Sequence, residues 1–280
     1  MTVTTTTVTT TTVEDFGALK ARLKGTWMAG NYDYFSRFME SSAIEFAARI
    51  GVTPGDELLD VACGSGQLAL VAARQGAKAT GVDIATNSIE AARGRAVSEG
   101  LDARFDEGDA EALPYDDSSF DIVATIFGAM FAPRPDLAAS EMLRVCRPGG
   151  TIAMANWTKE GFAGKMFATI GRYVPPPPVP APVLWGNEGI VRDRFGAGLV
   201  KLRLTRVNYQ FDYPFSPADT VEFFRHYYGP ATRAFAALGE VERDSLRADL
   251  TELWASHNTA TESDRTRVDS EYLEVIGTRE

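Results

Sequence analysis

Gly64, Ser65 and Gly66 form a glycine-rich turn between two segments of regular pattern. The apolar run at 57–61 before the turn predicts a buried β-strand, and the spacing at 68–74 after it predicts a helix. A strand, a glycine turn and a helix in this order let a ligand approach the backbone closely, and the helix N-terminus offers unpaired N–H groups to an anionic group. The segment therefore predicts a binding site for a nucleotide-type ligand.

Two classes of nucleotide ligand fit this turn. Residues 64–69 satisfy the G-x-G-x-x-G/A fingerprint of dinucleotide-binding proteins, and Asp83 lies near the expected spacing of a ribose-binding acid. Asp60, however, lies four residues before Gly64. A carboxylate there is unfavourable beside a pyrophosphate but favourable beside the ammonium of a nucleoside that carries an amino acid group. Asp60 therefore favours the second class, and an NAD(P)-binding oxidoreductase is the alternative.

From Asp60 to Gly66 the chain resembles the class I S-adenosylmethionine (SAM)-dependent methyltransferases, whose first motif is an acid followed by x-Gly-x-Gly-x-Gly. Ala62 stands in place of the first of these glycines. The resemblance extends through Asp121 and 147–150 and is strongest to the ubiquinone/menaquinone-biosynthesis type, methyltransferase type 11. It implies SAM as cofactor, S-adenosylhomocysteine as product, and O-, N- or C-methylation of a small organic acceptor. A SAM-binding protein with a non-methylating role is a further alternative.

The cofactor would be held at the ends of successive strands. Asp83 closes the second predicted strand, so its carboxylate can accept hydrogen bonds from both ribose hydroxyls. The resemblance implies that Asp109 takes the adenine amino group while a neighbouring backbone N–H receives a ring nitrogen. The predicted cofactor-binding residues are Asp60, Ala62, Gly64, Ser65, Gly66, Asp83, Ile84, Asn87, Gly108, Asp109, Ala110, Glu111, Ile126, Phe127 and Met130.

Aromatic residues before and after the core predict the acceptor site, although the same residues would serve as ordinary packing residues. The predicted substrate-binding residues are Trp27, Tyr34, Tyr227 and Tyr228. The catalytic candidates are His226, as a general base among aromatic residues, and Tyr32, which could orient the acceptor. Because orientation alone can contribute about 7–11 kcal/mol, methyl transfer does not require a base.

The elements that would position these residues alternate along the chain. Strands are predicted at 57–61, 79–83, 103–105, 120–127, 151–155, 200–211 and 268–276, with helices between them. This order predicts an α/β fold: a doubly wound, mostly parallel seven-stranded sheet with a helical cap, which the resemblance identifies as the Rossmann-like methyltransferase fold. One of the last two strands is expected to be antiparallel.

Four regions are predicted along the chain. Residues 1–13 form a disordered Thr/Val tail, 14–56 an N-terminal helical lid, 57–157 the SAM-binding core, and 158–280 the rest of the sheet. A helical insertion at about 216–260 would cap the acceptor site. Within the lid, the pattern predicts a helix at 14–24, an aromatic loop at 25–34 and a second, amphipathic helix with Phe38, Ile44, Phe46 and Ile50 among its apolar positions.

Composition restricts the partners. A net charge of −10 over 280 residues argues against a nucleic-acid substrate, because phosphate binding requires a basic surface. No apolar run is long enough to span a bilayer and no signal peptide is visible, so we expect a cytoplasmic protein that does not enter a membrane. The two cysteines, Cys63 and Cys146, lack metal-ligand spacing, and no metal is expected. A homodimer is left open.

Overall fold

The computed structural model describes residues 13–280. The predicted tail at 1–13 lies outside the described residues except for Val13, at which the first helix begins. Within the described part, seven strands form one sheet: β1 (Glu57–Val61), β2 (Lys78–Asp83), β3 (Ala103–Glu107), β4 (Phe120–Ile126), β5 (Cys146–Trp157), β6 (Leu199–Tyr213) and β7 (Thr266–Arg279). Their order is β3-β2-β1-β4-β5-β7-β6, and β7 is antiparallel to both of its neighbours. The predicted seven-stranded, mostly parallel sheet is confirmed.

The strand order reverses at β1, because β2 and β3 lie on one side of it and β4 and β5 on the other. Crossovers between parallel strands are right-handed, so the two directions of winding place their helices on opposite faces of the sheet. Doubly wound sheets bind ligands in the crevice where the order reverses, at the carboxyl ends of the strands. The topology therefore predicts that the ligand site includes the residues that follow β1 and β4.

Eleven α-helices accompany the sheet in the part of the chain that the structure describes. They are α1 (Val13–Trp27), α2 (Tyr32–Ser36), α3 (Glu40–Ile50), α4 (Gln67–Arg74), α5 (Thr86–Glu99), α6 (Pro135–Val145), α7 (Phe162–Gly171), α8 (Glu188–Phe195), α9 (Pro217–Tyr227), α10 (Gly229–Ala236) and α11 (Glu240–His257). In residues 13–280, no helix combines the length and the hydrophobicity that a membrane span requires.

The segment before β1 differs from the prediction. Helix α1 continues to Trp27, and α2 begins inside the predicted aromatic loop. A 3₁₀ turn at Arg37–Met39 separates α2 from α3, so the predicted second helix is divided. Ile44, one of the apolar positions of the predicted helix, is 50% exposed. The buried face of α3 consists of residues 43, 46, 47 and 50, and a side chain at 44 points away from that face.

Two later segments also differ from the prediction. The helical insertion holds three helices, α9 to α11, because the chain turns at Tyr228 and again near Gly239. Strand β5 begins at Cys146, five residues earlier than predicted, and its pairing with β4 shifts register between Phe120 and Ile122. Residues 147–150 therefore belong to an irregular strand start.

Helices α1 and α2 meet α9 and α10 over the carboxyl ends of the strands, and we call these four helices the roof. Two glycines allow the contact: a β-carbon at Gly229 would overlap the carbonyl oxygen of Thr26, and one at Gly30 would lie 2.8 Å from the carbonyl oxygen of Tyr227. Arg233 Nη2 also donates a hydrogen bond to the carbonyl oxygen of Gly25, at 3.0 Å. Helices from opposite ends of the chain therefore form one continuous cover.

Candidate functional site

Three adjacent cavities lie between the strand ends and the roof. The main cavity has a volume of about 470 Å³ and is lined by residues that follow β1 to β4, together with α1. A second cavity lies beside Asp60, and we call it the Asp60 cavity; a third is lined mainly by aromatic rings, and we call it the aromatic chamber. Each of these two has a volume of about 30 Å³. Tyr32 and Phe127 line all three cavities. These two side chains therefore mark the point at which the cavities meet.

The glycine turn is tied to the end of β2. The backbone N–H of Gly64 donates to Asp83 Oδ2 at 2.8 Å, and that of Ala85 donates to Asp83 Oδ1 at 2.7 Å. Gly64 has a φ of +54°, and a β-carbon there would lie 2.6 Å from the ring of Tyr32. Only glycine therefore allows the roof to approach the turn this closely.

Asp60 and Asp83 are carboxylates held by backbone N–H groups. Asp60 accepts a hydrogen bond from the N–H of Ala69 at 3.1 Å, in the first turn of α4. Burial, followed by the charge of Asp83, raises the pKa of Asp60 to about 8. Burial also raises the pKa of Asp83, against the opposing effect of the N–H groups of Ala85 and Gly64. A cation that entered between them would stabilise both charged forms.

Asp109 is ion-paired with the roof. Lys20 Nζ lies 2.5 Å from Asp109 Oδ2 and 2.6 Å from Glu111 Oε2, and Lys24 pairs with Glu107. Both lysines line the main cavity, but neither is among the site residues that the sequence predicts. Their spacing from each other and from Trp27 on one face of α1 is the signal that could have indicated them.

The aromatic chamber is lined almost entirely by rings. Its walls are Trp27, Tyr32, Phe35, Met39, Phe127, Phe131, Trp157, Ala163, Met166, Phe167, Phe211, Phe224 and Tyr228. None of these residues is an acid, a lysine, an arginine or a histidine. Phe127 has a φ of +56° and stacks on Trp157, with ring centroids 3.7 Å apart. Burial raises the pKa of both Tyr32 and Tyr228, so their hydroxyls stay protonated.

The predicted cofactor-binding residues fall into three groups. Ala62, Gly64, Asp83, Ile84, Gly108, Asp109, Ala110 and Phe127 line the main cavity. Asp60 and Ile126 line the Asp60 cavity. Ser65, Gly66, Asn87, Glu111 and Met130 line none of the three cavities.

Three residues of the third group have side-chain contacts that explain their positions. Ser65 Oγ lies 3.0 Å from Ser36 Oγ, which joins the glycine turn to α2. Asn87 Nδ2 donates to the carbonyl oxygen of Met28 at 3.3 Å. Glu111 accepts hydrogen bonds from the backbone N–H of Arg134 at 2.6 Å and from its Nε at 2.7 Å. These three side chains are therefore positioned to support the walls of the cavities.

Half of the predicted substrate-binding residues reach the chamber. Trp27 and Tyr228 line it, whereas Tyr34 and Tyr227 pack against each other, with centroids 4.8 Å apart, outside the cavities. His226 is not brought to the site: its side chain is 62% exposed, and its Nδ1 lies 2.7 Å from the carbonyl oxygen of Glu222. We therefore do not retain His226 as a candidate base. Tyr32 lies at the junction of the three cavities.

Comparison with known proteins identifies relatives along most of the chain. A family model described as a methyltransferase domain matches residues 59–154. The uncharacterised Mycobacterium bovis protein Mb1440c is 37% identical over 245 residues, which are 85% of this chain and 89% of that protein. The ubiquinone/menaquinone biosynthesis C-methyltransferase UbiE of Rhodopseudomonas palustris is 34% identical over 170 residues, which are 52% of this chain and 67% of that protein.

Solved structures share the architecture. The crystal structure of the YcgJ protein of Bacillus subtilis superimposes with a TM-score of 0.59, covering 86% of this chain and 99% of that one. The two sequences are 17% identical in this alignment, so the likeness bears on the fold alone.

The backbone of Ala62 generates a stability prediction. Ala62 has a φ of +54°, a conformation that costs a residue with a β-carbon about 1 kcal/mol or more. We expect Ala62→Gly to raise the free energy of unfolding by about 1 kcal/mol, and the melting temperature by roughly 2–4 °C. Calorimetry of the ligand-free protein measures both. Ala85→Gly is the control, because Ala85 has a φ of −85° and gains nothing from glycine. A less stable Ala62→Gly protein would contradict the prediction.

The raised pKa of Asp60 generates a pH prediction. Between its ordinary pKa and the folded value of about 8, the folded protein binds a proton that the unfolded chain has lost. Asp60 therefore makes the folded protein less stable as the pH rises through this range. We expect the melting temperature of Asp60→Asn, relative to that of the unsubstituted protein, to increase steadily from pH 5 to about pH 8. Melting curves that shift in parallel for the two proteins would refute this assignment.

Proposed function

The chain belongs to the class I SAM-dependent methyltransferases, and we propose that it transfers the methyl group of SAM to a small organic acceptor bound in the aromatic chamber. The observation that carries this proposal is the junction at Tyr32 and Phe127. One cavity with acids at strand ends, a second beside Asp60 and a third without charged residues meet at these two side chains. Such an arrangement suits a nucleoside, its amino acid group and an apolar acceptor around one reacting centre.

The residues of the main cavity fit the cofactor. Its volume of about 470 Å³ lies within the range of roughly 300–1,000 Å³ that is usual for small-molecule sites. We assign the ribose to Asp83 and the adenine end to Asp109 and its neighbours. The Asp60 cavity adds the hydroxyls of Ser36 and Ser42 and the amide of Gln67, which suit an amino acid group. SAM supplies a methyl group already activated by a positively charged sulfur.

The protein contributes to the reaction by orienting the two reactants and by excluding water from the acceptor side. The rings of the aromatic chamber exclude water from the acceptor side, and Tyr32 and Phe127 limit how an acceptor can approach the junction. Holding two reactants in line is worth about 7–11 kcal/mol, which makes positioning the main catalytic effect available here. We therefore assign Tyr32 as a positioning residue and place no general base in the mechanism. The NAD(P)-binding oxidoreductase is not retained, because the chain belongs to a different family.

The ribose assignment generates a binding prediction. Asp83→Asn replaces a carboxylate oxygen with an N–H donor and so loses a charged hydrogen bond worth about 1.5–3 kcal/mol. We expect the dissociation constant of S-adenosylhomocysteine, measured by isothermal titration calorimetry, to rise about tenfold or more.

Asp121→Asn is the matched control, because Asp121 is the second residue of β4, at the opposite end of the strand from the site, and pairs with Arg147. The Asp121→Asn variant should bind S-adenosylhomocysteine with the same dissociation constant as the unsubstituted protein. Equal affinity in the Asp83→Asn and Asp121→Asn variants would remove Asp83 from the proposed site.

The proposed reaction is tested with SAM and a panel of small acceptors. S-adenosylhomocysteine should form in proportion to an acceptor that has gained the mass of one methylene group. A protein that binds SAM but forms no such product with any acceptor would instead have a non-methylating role.

A further inference from the structure

We propose that the acceptor is a phenol, which binds in the aromatic chamber as its anion and is methylated on oxygen. The inference rests on the proposed function and specifies the class of molecule that the chamber receives. It is carried by the composition of the chamber walls, by the position of the acids and by the two tyrosines that line the chamber.

The walls suit a flat ring. Ten of the thirteen lining residues are aromatic, and the other three are Met39, Ala163 and Met166. Aromatic pairs prefer offset-stacked or edge-to-face contacts, and the chamber offers rings in several orientations around one space. Trp27, for example, contacts Phe131 edge-to-face at 4.9 Å and Tyr228 at 5.9 Å. An aromatic acceptor in the chamber can make the same stacked and edge-to-face contacts with these rings as they make with one another.

The charges favour an oxygen anion over an amine. Asp60 and Asp83 line the other two cavities, so the chamber itself holds no carboxylate that could pair with an ammonium. Methylation of a neutral amine would leave a positive charge in these apolar walls. Methylation of a phenolate removes one positive and one negative charge together. A chamber of low polarity favours a reaction whose charges cancel.

Two hydroxyls can hold the anion. Tyr32 and Tyr228 both line the chamber, and each carries a phenolic hydroxyl. Because burial raises the pKa of both tyrosines, each hydroxyl donates a hydrogen bond and does not accept a proton from the acceptor. These donors and the nearby positive sulfur would compensate for removing the phenolate from water.

The proton balance follows from the absence of a base in the chamber walls. The phenol loses its proton to water before the anion binds. The acceptor oxygen then forms a bond to the methyl carbon, the bond between that carbon and sulfur breaks, and its electron pair stays on sulfur. The products are a neutral aryl methyl ether and S-adenosylhomocysteine.

The acceptor also has to displace side chains. The chamber has a volume of about 30 Å³ in the described structure, which holds little more than one water molecule. Trp27 and Tyr32 belong to the roof, and Tyr228 connects its helices α9 and α10, so a shift of the roof enlarges the chamber. The size of the phenol is therefore limited by how far the roof moves, and small phenols are the first to test.

The first experiment measures kcat/KM as a function of pH, at saturating SAM, for substituted phenols of different acidity and for matched benzylamines. We expect the rate to rise with pH and to level off at the pKa of each phenol in turn. An inflection at one pH for every phenol would show a base on the protein, and faster methylation of the amines would show a different acceptor class. Either result overturns the inference while leaving methyl transfer intact. If SAM does not bind in calorimetry, the proposed function itself fails.

The second experiment detects the anion directly, without turnover. 4-Nitrophenol is titrated into the protein with sinefungin, which carries an ammonium in place of the sulfonium, and the visible absorbance of its anion is recorded. We expect the bound phenol to ionise at a lower pH than the free phenol. Tyr228→Phe should weaken binding of the anion by about tenfold, the effect of losing one hydrogen bond to a charged group.

Tyr213→Phe is the matched control. Tyr213 is fully buried, its hydroxyl has no partner among the described residues, and it lines none of the three cavities. Loss of this hydroxyl should leave binding of the anion unchanged. Unaltered binding in both Tyr32→Phe and Tyr228→Phe, or binding of the neutral phenol only, would overturn the proposal.

Discussion

The structure depends on keeping two carboxylates, those of Asp60 and Asp83, close together and largely out of water. Backbone N–H groups are their hydrogen-bond donors, one from α4 and two from the glycine turn and the start of the next helix. This environment leaves negative charge incompletely compensated, as the raised pKa of both groups indicates. Because folding has already removed these carboxylates from water, a cationic ligand that binds beside them gains a favourable electrostatic interaction. The strand ends, the glycine turn and the roof all serve to maintain this condition.

The reversal of strand order brings the three cavities to one point. Ala62 follows β1 and Phe127 follows β4, and both have a positive φ although neither is glycine. A β-carbon at Gly128 would overlap the carbonyl oxygen of Ala62, so the two strand ends are in direct contact. Backbone strain is thus concentrated where the proposed cofactor and acceptor sites meet, as is common at functional sites. The geometry of this point is fixed by the backbone, and Tyr32 completes it from the roof.

The sequence was informative where the signals are local. The strand, glycine turn and helix at 57–74 are contiguous, and the acids at the strand ends follow short apolar runs, so the sheet and the main cavity could be predicted. The aromatic chamber could not, because its walls come from residues between Trp27 and Tyr228 that share no spacing. The residue type of His226 is typical of a base, yet the buried face of α9 comprises residues 220, 221, 223 and 224, which leaves position 226 in solvent. Lys20 and Lys24 lacked a partner in sequence, since their acids lie more than 80 residues away.

The close contact at Gly30 and Gly229 affects how this enzyme can change during evolution. Any other residue at either position would push the two halves of the roof apart, because a β-carbon has no room there. If the chamber binds the acceptor as proposed, side chains of its walls such as Phe131 and Phe167 can change acceptor preference without disturbing the contact between the glycines. On this proposal, rings of different size in the chamber walls change which acceptor fits, while the contact at Gly30 and Gly229 and the glycine turn stay the same.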